Sequence, residues 1–134
     1  MPINIFTYGS LMFPAVWQRV VSAQYQSLPA TVQDFRRFAV LNDTYPGLIA
    51  SPGGSVEGVI YHNVAPDDVA RLDHFEGDDY RRIEIDAHLT DGSTQLVQTY
   101  LMLRPQGLSD QPWLPENFAL QRFLDTYCRD KLGS

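Results

Sequence analysis

Hydrophobic residues recur along this chain with two different spacings. Between residues 83 and 89 isoleucine, alanine and leucine alternate with charged and polar residues, which predicts a β-strand with one buried face. The runs Ile3–Thr7 and Val56–Val64 are rich in β-branched and aromatic residues, which favour strands. The sequence therefore predicts several strands, the first at the start of the chain.

Three other segments have the spacing of helices. Apolar residues fall every third or fourth position from Phe13 to Val21, and Pro14 suits a first helical turn. A second, short helix is predicted from Pro66 to about Gly77. A closing helix is predicted to start near Pro115 and to fray over the last four residues.

The remaining segments are predicted to be strands and loops. Residues 30–41 are expected to form a strand broken at residues 34–37, with residues 38–41 buried on both faces. Residues 42–54 are predicted to be a loop, because prolines and glycines surround a short apolar run. Asp91-Gly92 predicts a hairpin turn into a return strand at residues 94–103, followed by an irregular segment up to about residue 115. These elements favour an α+β fold with a small, mixed, barrel-like sheet flanked by short helices.

Composition narrows the class of protein. The 134 residues are predicted to form a single domain, and 44% hydrophobic with 19% charged residues is typical of a globular protein. The net charge of −6 argues against nucleic acids and anionic membranes as partners. One cysteine excludes an intramolecular disulfide, and no apolar run is long enough to span a bilayer. A cytoplasmic protein is expected.

The loop Tyr8-Gly9-Ser10-Leu11 is the first candidate site. It follows the first predicted strand and precedes the first predicted helix. Gly9 permits a positive φ and close approach of another molecule, so the amides of Gly9, Ser10 and Leu11 could bind an anionic oxygen. The alternative is a tight turn in which Gly9 is needed for its conformation alone.

Glu76 is the second candidate. It lies at the predicted end of a helix, between Phe75 and Gly77, where its side chain can enter a pocket. A carboxylate partly desolvated by aromatic neighbours gains basicity and can transfer protons near neutral pH. The alternative is a glutamate at a helix end that forms an ion pair with Arg82.

Other reactive residues give weaker signals. The three histidines, His62, His74 and His88, lack the spacing of metal ligands, so no zinc site is expected. Cys128 lies on the apolar stripe of the last helix, as a core residue would. Ser10 lacks the second glycine of a nucleophile elbow.

Four motifs in order resemble those of the γ-glutamylcyclotransferase-like superfamily, and most closely its AIG2-like branch, which includes γ-glutamylamine cyclotransferases. The similar segments are Phe6–Leu11, Tyr45–Leu48, Val56–Tyr61 and Leu72–Gly77 with Tyr80 and Arg82. One departure is Asp34, where family members often carry glycine. The proline-rich segment around Trp113 is less clearly matched.

The resemblance implies a compact barrel with a pocket between the opening loop and Glu76. Family members release 5-oxoproline when the α-amine of a γ-glutamyl group attacks its own γ-carbonyl. Glu76 would then be the general acid/base, and the amides of Gly9, Ser10 and Leu11 would bind either the α-carboxylate or the oxyanion of the substrate. Tyr8 could wall the pocket and Tyr80 could orient Glu76. Neither a metal nor an organic cofactor is required, and the expected partner is a small γ-glutamyl compound.

Two alternatives stay open at this stage. The pocket could bind a small carboxylate or amine without turnover, or support a related acyl transfer. Trp113 and the apolar last helix could instead belong to a subunit of an assembly. The sequence predicts no oligomeric state.

Overall fold

A closed, five-stranded β-barrel forms the centre of the protein. The computed structural model describes residues 2–132. Around the barrel the strand order is β3-β1-β5-β4-β2, and β2 pairs back with β3 to close the ring. Neighbouring strands are antiparallel except β1 and β5, and β6 extends the sheet from β2. The strands are β1 Ile3–Thr7, β2 Ser27–Val40, β3 Pro46–Val64, β4 Tyr80–Leu89, β5 Thr94–Met102 and β6 Leu108–Pro112.

Short helices pack around this barrel. Helix α1 spans Pro14–Val20 and helix α2 spans Pro66–Glu76, close to the predicted bounds. The C-terminal helix combines an α-helical turn Leu120–Phe123, a π-helical stretch Leu124–Cys128 and a second α-helical turn Arg129–Leu132. Within residues 2–132, no helix is both long and apolar enough to cross a lipid bilayer. The predicted α+β fold with a barrel-like sheet is therefore confirmed.

The alternation of side chains along the strands divides the core in two. One cluster lies inside the barrel, and each of the five barrel strands contributes to it, for instance through Phe6, Val32, Ile60, Ala87 and Val97. The second cluster fills the space between the barrel and the helices. Residues of odd and even number on one strand therefore serve different cores, as Ile5 and Phe6 do on β1. Burial of these apolar surfaces holds the helices against the barrel.

The predicted loop at residues 42–54 was wrong from Pro46 onwards. Strand β3 runs continuously through the proline- and glycine-rich stretch, because it pairs with β2 on both sides of a bulge. At the bulge Asp34 has a φ of 68°, a conformation that glycine adopts easily, and its carboxylate accepts a hydrogen bond from the amide of Gly53. The predicted break at residues 34–37 is thus a bulge within one long strand.

Three other predictions need correction, one at the C-terminal end of β2 and two in the chain after β5. Residues 38–40 are half-buried and Leu41 is 51% exposed, so this stretch is not buried on both faces. The segment predicted to be irregular contains β6, which pairs with β2 at Phe38 and Val40. The closing helix begins at Leu120 rather than near Pro115, where the chain forms an isolated 3-10 turn. The predicted fraying includes residues 133 and 134, which lie outside the described residues.

A buried carboxylate fastens α2 to the loop that follows α1. Asp68 is 1% exposed and accepts hydrogen bonds from the amides of Ser22 and Ala23 and from the hydroxyl of Tyr25, and it also binds Arg71 at 2.7 Å. Burial alone would raise the pKa of Asp68, but the hydrogen bonds outweigh burial and lower that pKa to about 2.

We expect Asp68→Ala to lower the free energy of unfolding by about 3 kcal/mol at pH 7, because buried donors lose their acceptor. Urea denaturation measures this change. Since the folded-state pKa is lowered, the ionised carboxylate stabilises the protein above the unfolded pKa near 4, and that stabilisation is lost as the pH falls towards 2. Asp67→Ala, the exposed neighbour in the same helical turn, is the control and should change stability little. Equal destabilisation by both substitutions would contradict the role of Asp68.

Candidate functional site

A pocket opens where β1 ends and α2 ends. Its empty volume, open solvent at the mouth included, is about 420 Å³. Tyrosine and phenylalanine side chains form most of the wall. The lining residues are Phe6–Leu11, Tyr45–Pro46, Phe75–Glu76, Tyr80, Tyr100, Phe123 and Tyr127. The structure thus brings together every residue that the sequence predicted for the site.

The loop after β1 contributes residues 8–11 to the wall of this pocket. After Tyr8 the chain enters a 3-10 turn at Ser10–Met12, in which the amides of Met12 and Phe13 bond the carbonyls of Gly9 and Ser10. Among residues 2–132, no acceptor binds the amides of Gly9, Ser10 and Leu11. Three neighbouring donors are therefore available for a ligand oxygen.

Gly9 is required for close packing rather than for a positive φ. Its φ is −132°, so the expected left-handed conformation is not used here. A Cβ atom at this position would lie 2.8 Å from Cγ and Cδ of Pro46. The absence of a side chain lets the loop lie directly against the start of β3.

Glu76 is the last residue of α2 and faces the same pocket. Gly77 ends the helix with a φ of 80°, which a residue with a side chain rarely adopts, and its amide bonds the carbonyl of Asp73. Phe75 is buried in the core, whereas Glu76 is half-buried and contributes to the pocket wall. The end of the helix therefore places Glu76 on the wall of the same pocket as the loop residues.

The surroundings of Glu76 make its carboxyl group basic. Burial raises the pKa of Glu76 to about 8; the positive charge of Lys131 opposes this shift and the negative charge of Asp73 adds to it. The alternative ion pair with Arg82 is absent from the described residues, because Arg82 binds Asp73 instead, at 3.0 and 3.2 Å. A carboxyl with this pKa exchanges protons readily near neutral pH.

The tyrosines that line the pocket hold its backbone. The hydroxyl of Tyr8 donates to the carbonyl of Tyr100, at 2.6 Å, and Tyr80 donates to the carbonyl of Pro46, at 2.8 Å. This bond to Pro46, rather than one to Glu76, is what the structure shows for Tyr80. Burial raises the pKa of both hydroxyls far above the usual value for tyrosine, so both stay protonated. Tyr8 and Tyr80 therefore form fixed walls of the site.

Six aromatic residues of the pocket wall were not among the predicted site residues, and three of these, Tyr100, Phe123 and Tyr127, also lie outside the four family motifs. Tyr127 belongs to the π-helical stretch, and its hydroxyl donates to the carbonyl of Phe75, at 2.5 Å, next to Glu76. Its ring stacks on Phe123, at a centroid distance of 5.1 Å. Tyr100 on β5 donates to Asp73, at 2.6 Å. The helical spacing of Phe123 and Tyr127 was visible in the sequence, but it indicates a buried face and not a pocket wall.

The other reactive residues lie elsewhere. Cys128 belongs to the core between barrel and helices, where burial raises the pKa of its thiol. His62 bonds the side chain of Gln95, at 2.9 Å, outside the pocket. Within residues 2–132, no group of three or more histidine, cysteine, aspartate or glutamate side chains could hold a metal ion.

Comparison with known proteins finds relatives in sequence and similar structures in fold. The chain is 33% identical over 96 residues to AIG2-like protein D of Arabidopsis thaliana, and 31% identical over 101 residues to AIG2-like protein A of the same plant. These matches cover 72% and 75% of this chain but only 63% and 61% of the two relatives, so the chain spans less than two thirds of their length.

Solved structures share the fold. A solution structure of an Arabidopsis thaliana protein superimposes with a TM-score of 0.72 and 27% identity, covering 96% of this chain and 89% of the other. A solved structure of a gamma-glutamyl cyclotransferase superimposes with a TM-score of 0.69 and 21% identity, covering 98% of this chain and 80% of the other. The sequence model of the family described as "Gamma-glutamyl cyclotransferase, AIG2-like" matches residues 5–117. The chain therefore belongs to the AIG2-like family of γ-glutamyl cyclotransferases.

Proposed function

We propose that this protein is an enzyme that releases 5-oxoproline from a small γ-glutamyl amine or γ-glutamyl amino acid. One observation carries the proposal: three unbonded backbone amides and a carboxyl with a pKa of about 8 line one small pocket. Such a pair supplies both an oxygen-binding surface and a proton acceptor. Membership of the family supports the same reaction class.

The reaction needs positioning more than an added reagent. Nucleophile and electrophile belong to one substrate, so the aromatic walls have to hold the γ-glutamyl group in a bent, near-attack conformation. Glu76 accepts a proton from the α-ammonium, and the freed amine attacks the γ-carbonyl to form the five-membered ring. The C–N bond to the leaving amine then breaks and Glu76 returns the proton to that amine. The ring nitrogen gives up its second proton in the same step, so that one N–H remains in the lactam and the amine leaves as an ammonium. Substrate is converted into 5-oxoproline and a free amine without consumption of water.

The loop amides would stabilise negative charge in this reaction. Donors from Gly9, Ser10 and Leu11 suit either the α-carboxylate of the substrate or the oxyanion that develops on the γ-carbonyl. A structure of the protein soaked with 5-oxoproline distinguishes the two, because the ring carbonyl of the product marks the oxyanion position. If the carboxylate of 5-oxoproline contacts the loop amides instead, these amides bind the α-carboxylate of the substrate.

The direct test is an assay of 5-oxoproline with purified protein and a panel of γ-glutamyl amines and γ-glutamyl dipeptides. Release of 5-oxoproline from at least one class supports the proposal, and the preferred class identifies the leaving amine. Thermal stabilisation by these compounds without any product would contradict catalysis and favour a binding protein.

We also expect kcat/KM to rise with pH and to level off above about 8, because only ionised Glu76 accepts a proton. The α-amine of the substrate titrates as well, so a variant with a changed pKa of Glu76 is needed to assign the break, the pH at which kcat/KM levels off. Lys131 lowers the pKa of Glu76, and Lys131→Met should therefore move the break to higher pH. Arg129→Met, in the same helical turn, is the control. A break at the same pH in wild type and Lys131→Met would contradict its assignment to Glu76.

A further inference from the structure

Arg37 contacts the loop of the candidate site through the backbone of Tyr8. It lies on β2, and its Nη1 atom donates to the carbonyl oxygen of Tyr8, at 2.6 Å. That carbonyl belongs to the peptide whose nitrogen is the amide of Gly9. Because the peptide is planar and trans, the carbonyl and the N–H point in opposite directions. A guanidinium that fixes the carbonyl therefore also fixes the direction of the Gly9 amide, which points away from Arg37.

The same contact changes the strength of that amide as a donor. A hydrogen bond from a charged guanidinium is stronger than a neutral one and polarises the peptide that accepts it. The N–H of a polarised peptide becomes a better donor. Arg37 also adds positive charge beside a loop that is proposed to bind an anionic oxygen, in a chain with a net charge of −6.

The proline-rich segment holds Arg37 in place. The guanidinium carbon lies 5.2 Å from the centroid of the Trp113 ring, which is a cation–π contact. Trp113 is buried, and its Nε1 donates to the carbonyl of Thr44, at 2.9 Å, immediately before the pocket residues Tyr45 and Pro46. Trp113 is therefore packed within its own chain.

We propose that Arg37 is a positioning residue that orients and polarises the Tyr8–Gly9 peptide for binding of the substrate oxygen, with Trp113 holding the guanidinium. The effect on turnover rests on the proposed function, whereas the effect on the loop does not. The competing explanation is structural: Arg37 also donates to the carbonyl of Glu57 on β3, at 3.0 Å, and could simply brace the barrel.

Amide hydrogen exchange separates these two explanations. The amides of Met12 and Phe13 bond carbonyls of the loop and report its opening. In Arg37→Met we expect these two amides to exchange about tenfold faster, because a charge-assisted hydrogen bond is lost, while amides of the β2–β3 ladder keep their rates. Arg37→Lys retains the charge and should lie between Arg37→Met and wild type. Arg36→Lys changes the exposed neighbour and should behave as wild type.

Steady-state kinetics complete the test. We expect kcat/KM for 5-oxoproline release to fall by about tenfold to a hundredfold in Arg37→Met and less in Arg37→Lys. Unchanged exchange at Met12 and Phe13 would overturn the proposal, and so would equal acceleration across the β2–β3 ladder. If wild type releases no 5-oxoproline, the proposed function fails while the exchange data still decide the role of Arg37. Should Arg37→Met not fold, Arg37→Lys decides by the same measurement.

Discussion

Glu76→Gln should lower kcat for 5-oxoproline release by about a hundredfold or more, because the amide has the shape of the carboxyl but cannot accept a proton. The effect is expected to be large since, among residues 2–132, Glu76 is the one carboxyl in the pocket wall, and its pKa is raised to about 8 by burial. Initial rates of product release at pH 8 measure it. Asp79→Asn, a nearby exposed carboxylate that binds Arg104, should retain wild-type rates.

Stability provides the matching check that Glu76→Gln remains folded. The pKa of Glu76 is higher in the folded than in the unfolded protein, so its contribution to stability is complete below about pH 4.5 and is lost as the pH rises through about 8. A neutral glutamine avoids that loss. We therefore expect the Tm of Glu76→Gln at pH 9 to equal or exceed that of wild type. Wild-type turnover in the folded variant would show that another group transfers the proton.

Local sequence signals were sufficient to predict the two sides of the pocket, the loop at Gly9 and the helix end at Glu76. Gly9 and Gly77 each mark the end of an element, and the residues beside them, Ser10 and Glu76, lie on the pocket wall. The reason that Gly9 is needed was not visible in the sequence, because the contact that requires it comes from Pro46, 37 positions further along the chain. The sequence therefore located this loop, but only the tertiary structure shows the contact with Pro46 that requires glycine at position 9.

Long-range pairing explains the larger errors. Proline and glycine between residues 46 and 54 indicate a loop by local propensity, yet β2 pairs with this stretch on both sides of the bulge at Asp34. Tertiary pairing of this kind overrides propensity. Arg37 was equally hidden: as one of two adjacent arginines it resembles surface charge, and only the barrel brings it to the carbonyl of Tyr8.

Substitution of Gly9 by valine should abolish most activity, with kcat/KM lowered by about a hundredfold or more, because it displaces the loop amides. A Cβ at this position would lie 2.8 Å from two ring carbons of Pro46. The ring cannot easily move away, since Pro46 begins β3 and its carbonyl accepts the hydrogen bond from Tyr80. The loop must therefore shift, and a shift of about 1 Å is enough to misplace donors that act on a reacting oxygen.

Ser10→Ala is the matched control in the same loop. It removes a hydroxyl but retains the backbone amide, so kcat/KM should change only a little if the amides bind the substrate. Circular dichroism and thermal melting of both variants establish that each is folded before rates are compared. Wild-type kcat/KM in Gly9→Val would contradict the role of the loop geometry. An inactive but folded Ser10→Ala protein would instead assign the chemistry to the serine hydroxyl, because the amides in that variant are unchanged.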